Sequence, residues 1–237
     1  MAEYRSPYLT RTAEQTAALD EGLRAHMLRV FNYMASGVLL SGIVAYVVAN
    51  TALAGIVFGT PLKWVVMLAP LAIVMVLSYR IHNLSFSSAQ AVYWVFTAAM
   101  GASLASILLE FTGESVARVF FITAATFAAT SLYGYTTKAD LSKFGTFLFM
   151  GLIGIVIASL VNIFVGSSAL HFAISVIGVL VFTGLTAYDT QRIKEEYYEG
   201  HDHETASKMA LMGALSLYLN FVNLFTMLMN LIGSRDE

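Results

Sequence analysis

The chain has 237 residues, 58% of them hydrophobic and only 12% charged, with a mean hydropathy of +0.72. About a quarter of a soluble domain is charged, so this composition indicates a polytopic protein with a single membrane domain. The net charge of -2 and the lack of a basic stripe give no sign of nucleic acid, and the absence of cysteine excludes disulfides, thiol catalysis and zinc–thiolate sites.

Residues 1–29 carry Glu3, Arg5, Arg11, Glu14, Asp20, Glu21, Arg24 and Arg29 around no apolar core. They read as a polar tail, not a signal peptide. The membrane domain is expected over 30–233, and 234–237 form a short C-terminal tail. A span needs roughly 20 mostly apolar residues to cross about 30 Å of hydrocarbon. Seven windows meet that requirement: 30–49, 62–79, 89–109, 116–135, 144–163, 170–189 and 209–232. The predicted fold is therefore all-α, with seven transmembrane helices. Residues 50–61, with Gly55, Gly59 and Pro61, read as a turn. Pro70 lacks an N–H and should kink the second span, which a bundle tolerates. Arg80, His82 and Asn83 close that span. Glu110 and Glu114 close the third, and Lys138, Asp140 and Lys143 the fourth. The uncharged run 144–188 is too long for one helix, and Asn162 with Gly166-Ser167-Ser168 divides it. The polar segment 192–208 separates the last two spans. Gly37 with Ser41 and Gly154 with Ala158 have the spacing of close helix packing.

Lysine and arginine set the expected orientation. The N-terminal tail and the connections after the second, fourth and sixth spans hold Arg5, Arg11, Arg24, Arg29, Arg80, Lys138, Lys143, Arg192, Lys194 and Lys208. The other side holds Lys63, Arg118 and Arg235. The N-terminus is thus expected in the cytoplasm and the C-terminus outside.

The chemistry concentrates at the last two spans. Asp189 follows a run whose previous charge is Lys143. A carboxylate at the edge of a hydrocarbon-compatible helix requires a partner or a function. In the last span Gly213, Ser216, Asn220, Asn223 and Asn230 fall on one face. Their amides must find partners in hydrocarbon, which turns this stripe inward and makes the helix central. Two readings stand: interhelical hydrogen bonds for packing, or a polar pathway lined by Thr186, Ser216, Asn223 and Asn230. Asp189 and Asn220 come at similar depth on antiparallel spans. Arg80 is a candidate counter-charge for Asp189; Arg192 and Lys194 are the alternatives if the carboxylate sits in the wet interface. Glu110 and Glu114, at i and i+4, could attract a cation at an outer mouth or simply be a solvated helix end. His201, Asp202, His203 and Glu204 resemble a metal tract, but a short polar loop suits them better. His26, His82 and His171 stay unassigned. No phosphate loop, dinucleotide fingerprint, metalloprotease helix or nucleophile elbow is present, so the sequence offers no case for an enzyme.

Several strings carry a resemblance: T-A-Y-D-T-Q-R-I-K at 186–194, A-L-S-L-Y-L-N-F-V-N-L-F at 214–225, R-V-F-F-I-T-A-A-T-F at 118–127 and S-L-Y-G-Y-T-T-K-A-D-L at 131–141. Together they resemble the Bax inhibitor-1 (transmembrane Bax inhibitor motif) family, in its bacterial inner-membrane branch, over nearly all of 30–232. The resemblance implies six helices wrapped around a central seventh and a pH-sensitive calcium leak, with calcium as the transported ion and no resident cofactor. It also implies a sensor of two hydrogen-bonded aspartates, latched by an arginine on the second helix. By position these are Asp189, Asn220 and Arg80. Asn220 departs from the pattern, because it hydrogen-bonds but does not titrate. Without a second carboxylate no proton is shared, which implies weaker or acid-shifted gating and weaker cation binding. The branch also implies a competing role: restraint of a membrane-anchored AAA protease through the N-terminal tail, with no transport.

Overall fold

In this computed structural model residues 7–197 and 202–236 are described, with side chains from Asp20 onward. The described residues form helices α1 (Pro7–Ala49), α2 (Leu53–Phe58), α3 (Leu62–Arg80), α4 (Phe86–Glu110), α5 (Gly113–Thr136), α6 (Ser142–Val165), α7 (Ser168–Glu195) and α8 (His203–Ile232). All but α2 are long and apolar enough to cross a membrane. The seven predicted spans thus correspond to α1 and α3 to α8. The short α2 interrupts the connection expected to be a plain turn, and Pro70 sits buried within a continuous α3.

Local chemistry fixes the helix ends. Ser85, Thr112, Ser167 and Asp202 are N-caps whose side chains accept from backbone N–H groups of the first turn. The long apolar run breaks where predicted. Gly166 ends α6 at φ 64°, a left-handed conformation that costs glycine nothing. The Asn162 side chain then accepts from the Ser167 N–H, tying the turn to the last coil of α6.

α8 is the centre. Of its most apolar stretch 67% is buried, against 6% for α6. Its main neighbours are α1, α4, α5 and α7, while α3 packs chiefly on α4 and α6 on α7. The expected wrap is therefore uneven, with α3 and α6 as outer pillars. Trp64, Leu71, Phe147 and Phe164 point outward, as a lipid-facing rim requires.

Two expectations change. The first span does not begin at Val30. From Pro7 the polar stretch is helix, continuous with the span; Met27, Val30 and Met34 line one buried face, while Asp20, Glu21 and Arg24 are exposed. At 1.5 Å per residue α1 is about 65 Å long, roughly twice the hydrocarbon thickness. Residues 1–6 of the expected tail lie outside the described residues. The second change concerns small-residue packing. Gly37 meets Tyr93 and Thr97, and Gly101 meets the Ser41 backbone, so α1 and α4 approach closely there. Gly154, however, faces open space. The tight α6–α7 approaches are instead at Gly145, against Tyr188, and Gly151, against Val181.

Candidate functional site

α7 and α8 run antiparallel. Ile193 packs on Gly213, Asp189 bonds Ser216 and Asn220, and Gly178 meets Met227. The α8 face predicted from its spacing is thus turned onto α7. Asp189 lies one and a half turns before the end of α7 and is buried. Its Oδ2 accepts from Ser216 Oγ at 2.8 Å and from Asn220 Nδ2 at 2.7 Å. Its Oδ1 pairs with Arg192 Nη2 at 3.0 Å, one turn further along α7. Arg192 Nη2 also reaches Ser216 Oγ at 3.4 Å, and the guanidinium lies 5.9 Å from the Tyr188 ring centre. A carboxylate has about four acceptor sites, and three of them are taken.

This corrects the expected counter-charge. Arg80 ends α3 with an exposed side chain and makes no ion pair among the described residues. Arg192 holds Asp189 instead, because an i, i+3 neighbour on one helix is already in reach, whereas α3 packs mainly on α4. Lys194, the other local candidate, donates to the Tyr135 carbonyl at 2.8 Å.

Beside this cluster lies a cavity of about 540 Å³ between the ends of α3, α7 and α8, lined by His82, Arg192, Glu196, Lys208 and Ser216 among others. Arg192 and Ser216 therefore stand between the cavity and Asp189. A cation arriving there would meet a guanidinium before it met the carboxylate.

The remaining candidates separate. Thr186 is fully buried and its hydroxyl donates to the Phe182 carbonyl of its own helix, so it lines nothing in this arrangement. Asn223 and Asn230 are half-buried and form no side-chain hydrogen bond among the described residues. Glu110 is not a free outer carboxylate: it pairs with Arg235 at 3.1 Å. The Phe111 and Arg235 backbones form an isolated antiparallel bridge there, and the Thr112 N–H donates to the Ser234 carbonyl. Glu114 is exposed in the first turn of α5. Of the tract at 201–204, His201 lies outside the described residues. Asp202 caps α8, and hydrogen bonds from Thr205 and Glu204 hold its carboxyl below the usual 3.8. Among the described residues no three His, Cys, Asp or Glu come together to hold a metal.

Sequence reasoning missed the role of Gln191. Its Oε1 accepts from the Leu141 N–H and its Nε2 donates to the Ala139 carbonyl, both at 2.8 Å, fastening the α5–α6 connection to α7. Only its position beside Asp189 could have drawn attention to it.

These features define a multi-pass helical membrane protein with one buried carboxylate between its two C-terminal helices. The chain belongs to the Bax1-I family, described as inhibitor of apoptosis-promoting Bax1, whose model matches residues 23–237. An uncharacterized protein of Caulobacter vibrioides is 47% identical over 234 residues, covering 93% of this chain and 92% of the relative. The inner membrane protein YbhL of Escherichia coli (strain K12) is 45% identical over 218 residues, covering 90% and 93%. An uncharacterized membrane protein of Streptococcus pyogenes serotype M1 is 34% identical over 221 residues, covering 92% and 96%.

Proposed function

We propose that the chain is a cation leak protein of a bacterial inner membrane, that calcium is the ion it passes, and that Asp189 is its pH-responsive gate. It catalyses no reaction and holds no resident cofactor. The observation that carries the reading is the buried Asp189 carboxylate, closed off by Arg192 beside a polar cavity. A lone carboxylate deep in a membrane domain, bonded to neutral donors on the next helix, is what a proton- or cation-responsive element needs. Protonation of Asp189 removes the attraction for Arg192, which frees the guanidinium to leave the cavity wall. The bias in basic residues puts this end of the bundle in the cytoplasm and the C-terminus in the periplasm.

The experiment is calcium uptake into vesicles loaded with a calcium dye, followed across pH. The wild-type chain should leak, and Asp189→Asn should remove the pH response. A protein that passes no calcium at any pH, or whose Asp189→Asn variant keeps the full pH response, defeats the reading.

A second reading rests on α1. The helix is about twice the length needed to span the hydrocarbon, so its N-terminal half projects from the bilayer as a handle. This favours restraint of a membrane-anchored AAA protease gripping that handle, without transport. Deletion of residues 1–24 that leaves turnover of the protease's substrates unaltered in cells removes its support.

A further inference from the structure

The face of α8 opposite to α7 carries a second feature that the leak does not use. α1 and α5 both pack against α8 yet leave a gap between them. Three cavities join along that gap. One of about 480 Å³ is lined by Arg24, Phe31, Ala128, Ser131 and Tyr135. It shares Phe127 with a second of about 570 Å³, lined by Ala35, Val38 and Phe221. That one shares Gly42 and Phe120 with a third of about 230 Å³ further along α1. The floor is aromatic: Phe221 lies 5.7 Å from Phe120 and 5.6 Å from Phe127, ring centre to ring centre. The result is one apolar groove, open to the side, that runs from the membrane edge toward the middle.

The two ends of the groove differ. Its middle is purely apolar, but its Arg24 end carries two polar groups without a protein partner among the described residues. Arg24 is exposed and forms no ion pair among the described residues. Ser131 is 4% exposed, and its hydroxyl has no hydrogen-bond partner among the described residues although it lines the groove. A buried hydroxyl without a partner costs free energy, so its presence in a cavity wall calls for an external acceptor. Ser131 sits about one and a half turns before the end of α5, roughly 8 Å along the axis from that helix end. From Leu28 to Val38 the groove follows α1 for about 15 Å, half of the hydrocarbon thickness.

We infer that the α1–α5 groove is a binding site for one anionic phospholipid of the bilayer leaflet on the Arg24 side. The phosphate lies against Arg24, an ester oxygen accepts from Ser131, and an acyl chain fills the cleft over Phe127 and Phe221. The charge selects an anionic headgroup, and the depth of Ser131 selects a glycerol ester over a second protein helix.

The test uses the full chain, purified in detergent with equal amounts of phosphatidylglycerol and phosphatidylethanolamine, and native mass spectrometry to count retained lipids. The wild type should keep one phospholipid and prefer phosphatidylglycerol. Arg24→Gln should lower that preference about fivefold, the ratio set by one basic side chain near an acidic surface. Ala35→Phe with Ala128→Phe should empty the site. Both alanines are exposed in the groove wall, so the larger rings fill it without disturbing the core, and an unchanged melting temperature confirms that. Ser131→Ala should weaken retention of both lipids equally. Equal retention of the two lipids by the wild type overturns the inference. So does lipid retention by the doubly substituted chain, or a dimer that the same double substitution separates.

Discussion

The middle of α8 and the tail beyond its end each lie beside a carboxylate paired with an arginine, and the two pairs differ in their surroundings. Against the middle of α8, Asp189 has a side chain 9% exposed and gathers Ser216, Asn220 and Arg192 around itself. Beyond its end, Glu110 and Arg235 are 52% and 65% exposed and meet in water. The contact distances are nearly equal, at 3.0 and 3.1 Å, so separation does not distinguish them. Burial does. An exposed pair is screened and contributes at most about 1 kcal/mol. A carboxylate removed from water depends on every donor around it, and loss of one leaves its buried charge less compensated. The outer pair is a clasp for the C-terminal tail, while the inner one is a buried link between α7 and α8.

That contrast can be broken in order of expected effect. Asp189→Ala should be the most severe change, abolishing pH-dependent flux and destabilising the fold by about 2–4 kcal/mol as Ser216 and Asn220 lose their acceptor. Thermal unfolding in detergent measures the second effect, and a loss well below 1 kcal/mol would make the inner pair equivalent to the outer one. Arg192→Ala comes next. It should raise calcium flux near neutral pH, because the guanidinium no longer covers the carboxylate, whereas Arg80→Ala should leave flux unchanged. The reverse result would restore Arg80 as the latch. Asn220→Asp should then add a second step to the flux–pH curve, since two adjacent carboxylates titrate as a coupled pair; a curve that keeps its single step would separate Asn220 from gating. Arg235→Ala should change stability by less than about 1 kcal/mol and flux not at all. Smallest is the Asp202 cap. Its carboxyl is held below 3.8 in the folded chain, so the cap is intact above that pH and is lost as pH falls through the lower folded value. Amide exchange in the first turn of α8 should quicken only in that acid range.

Much of this was legible in the sequence, for physical reasons that also set the limit. Hydrocarbon thickness dictates span length, so the seven windows stood out, and Asn162 with Gly166-Ser167-Ser168 marked the break in the run 144–188. The spacing of Ser216 and Asn220 placed them on one face, and their position relative to Asp189 followed from two antiparallel helices. The partner of Asp189 was not legible, because depth in the membrane alone admits both Arg80 and Arg192. The choice depends on α3 docking on α4, which no local pattern encodes. Glu110 misled for a related reason: its partner is 125 positions away in sequence, brought close only by the return of the C-terminal tail. The start of α1 was obscured because dense charge on one side of a helix conceals the buried row Met27, Val30, Met34 on the other.

The Gln191 contacts bear on how such a gate can move. Gln191 is two residues from Asp189, yet it grips the turn between α5 and α6 through both atoms of its amide. Lys194 adds a third tether to the end of α5, and Gly134 lets α5 press directly on the Ala187 backbone. Helices α5, α6 and α7 are thereby tied together beside Asp189. Separation of Asp189 from Asn220 would then require α8 to slide along α7, and a spin-label pair across α5 and α7 should hold a constant distance while a pair across α7 and α8 does not.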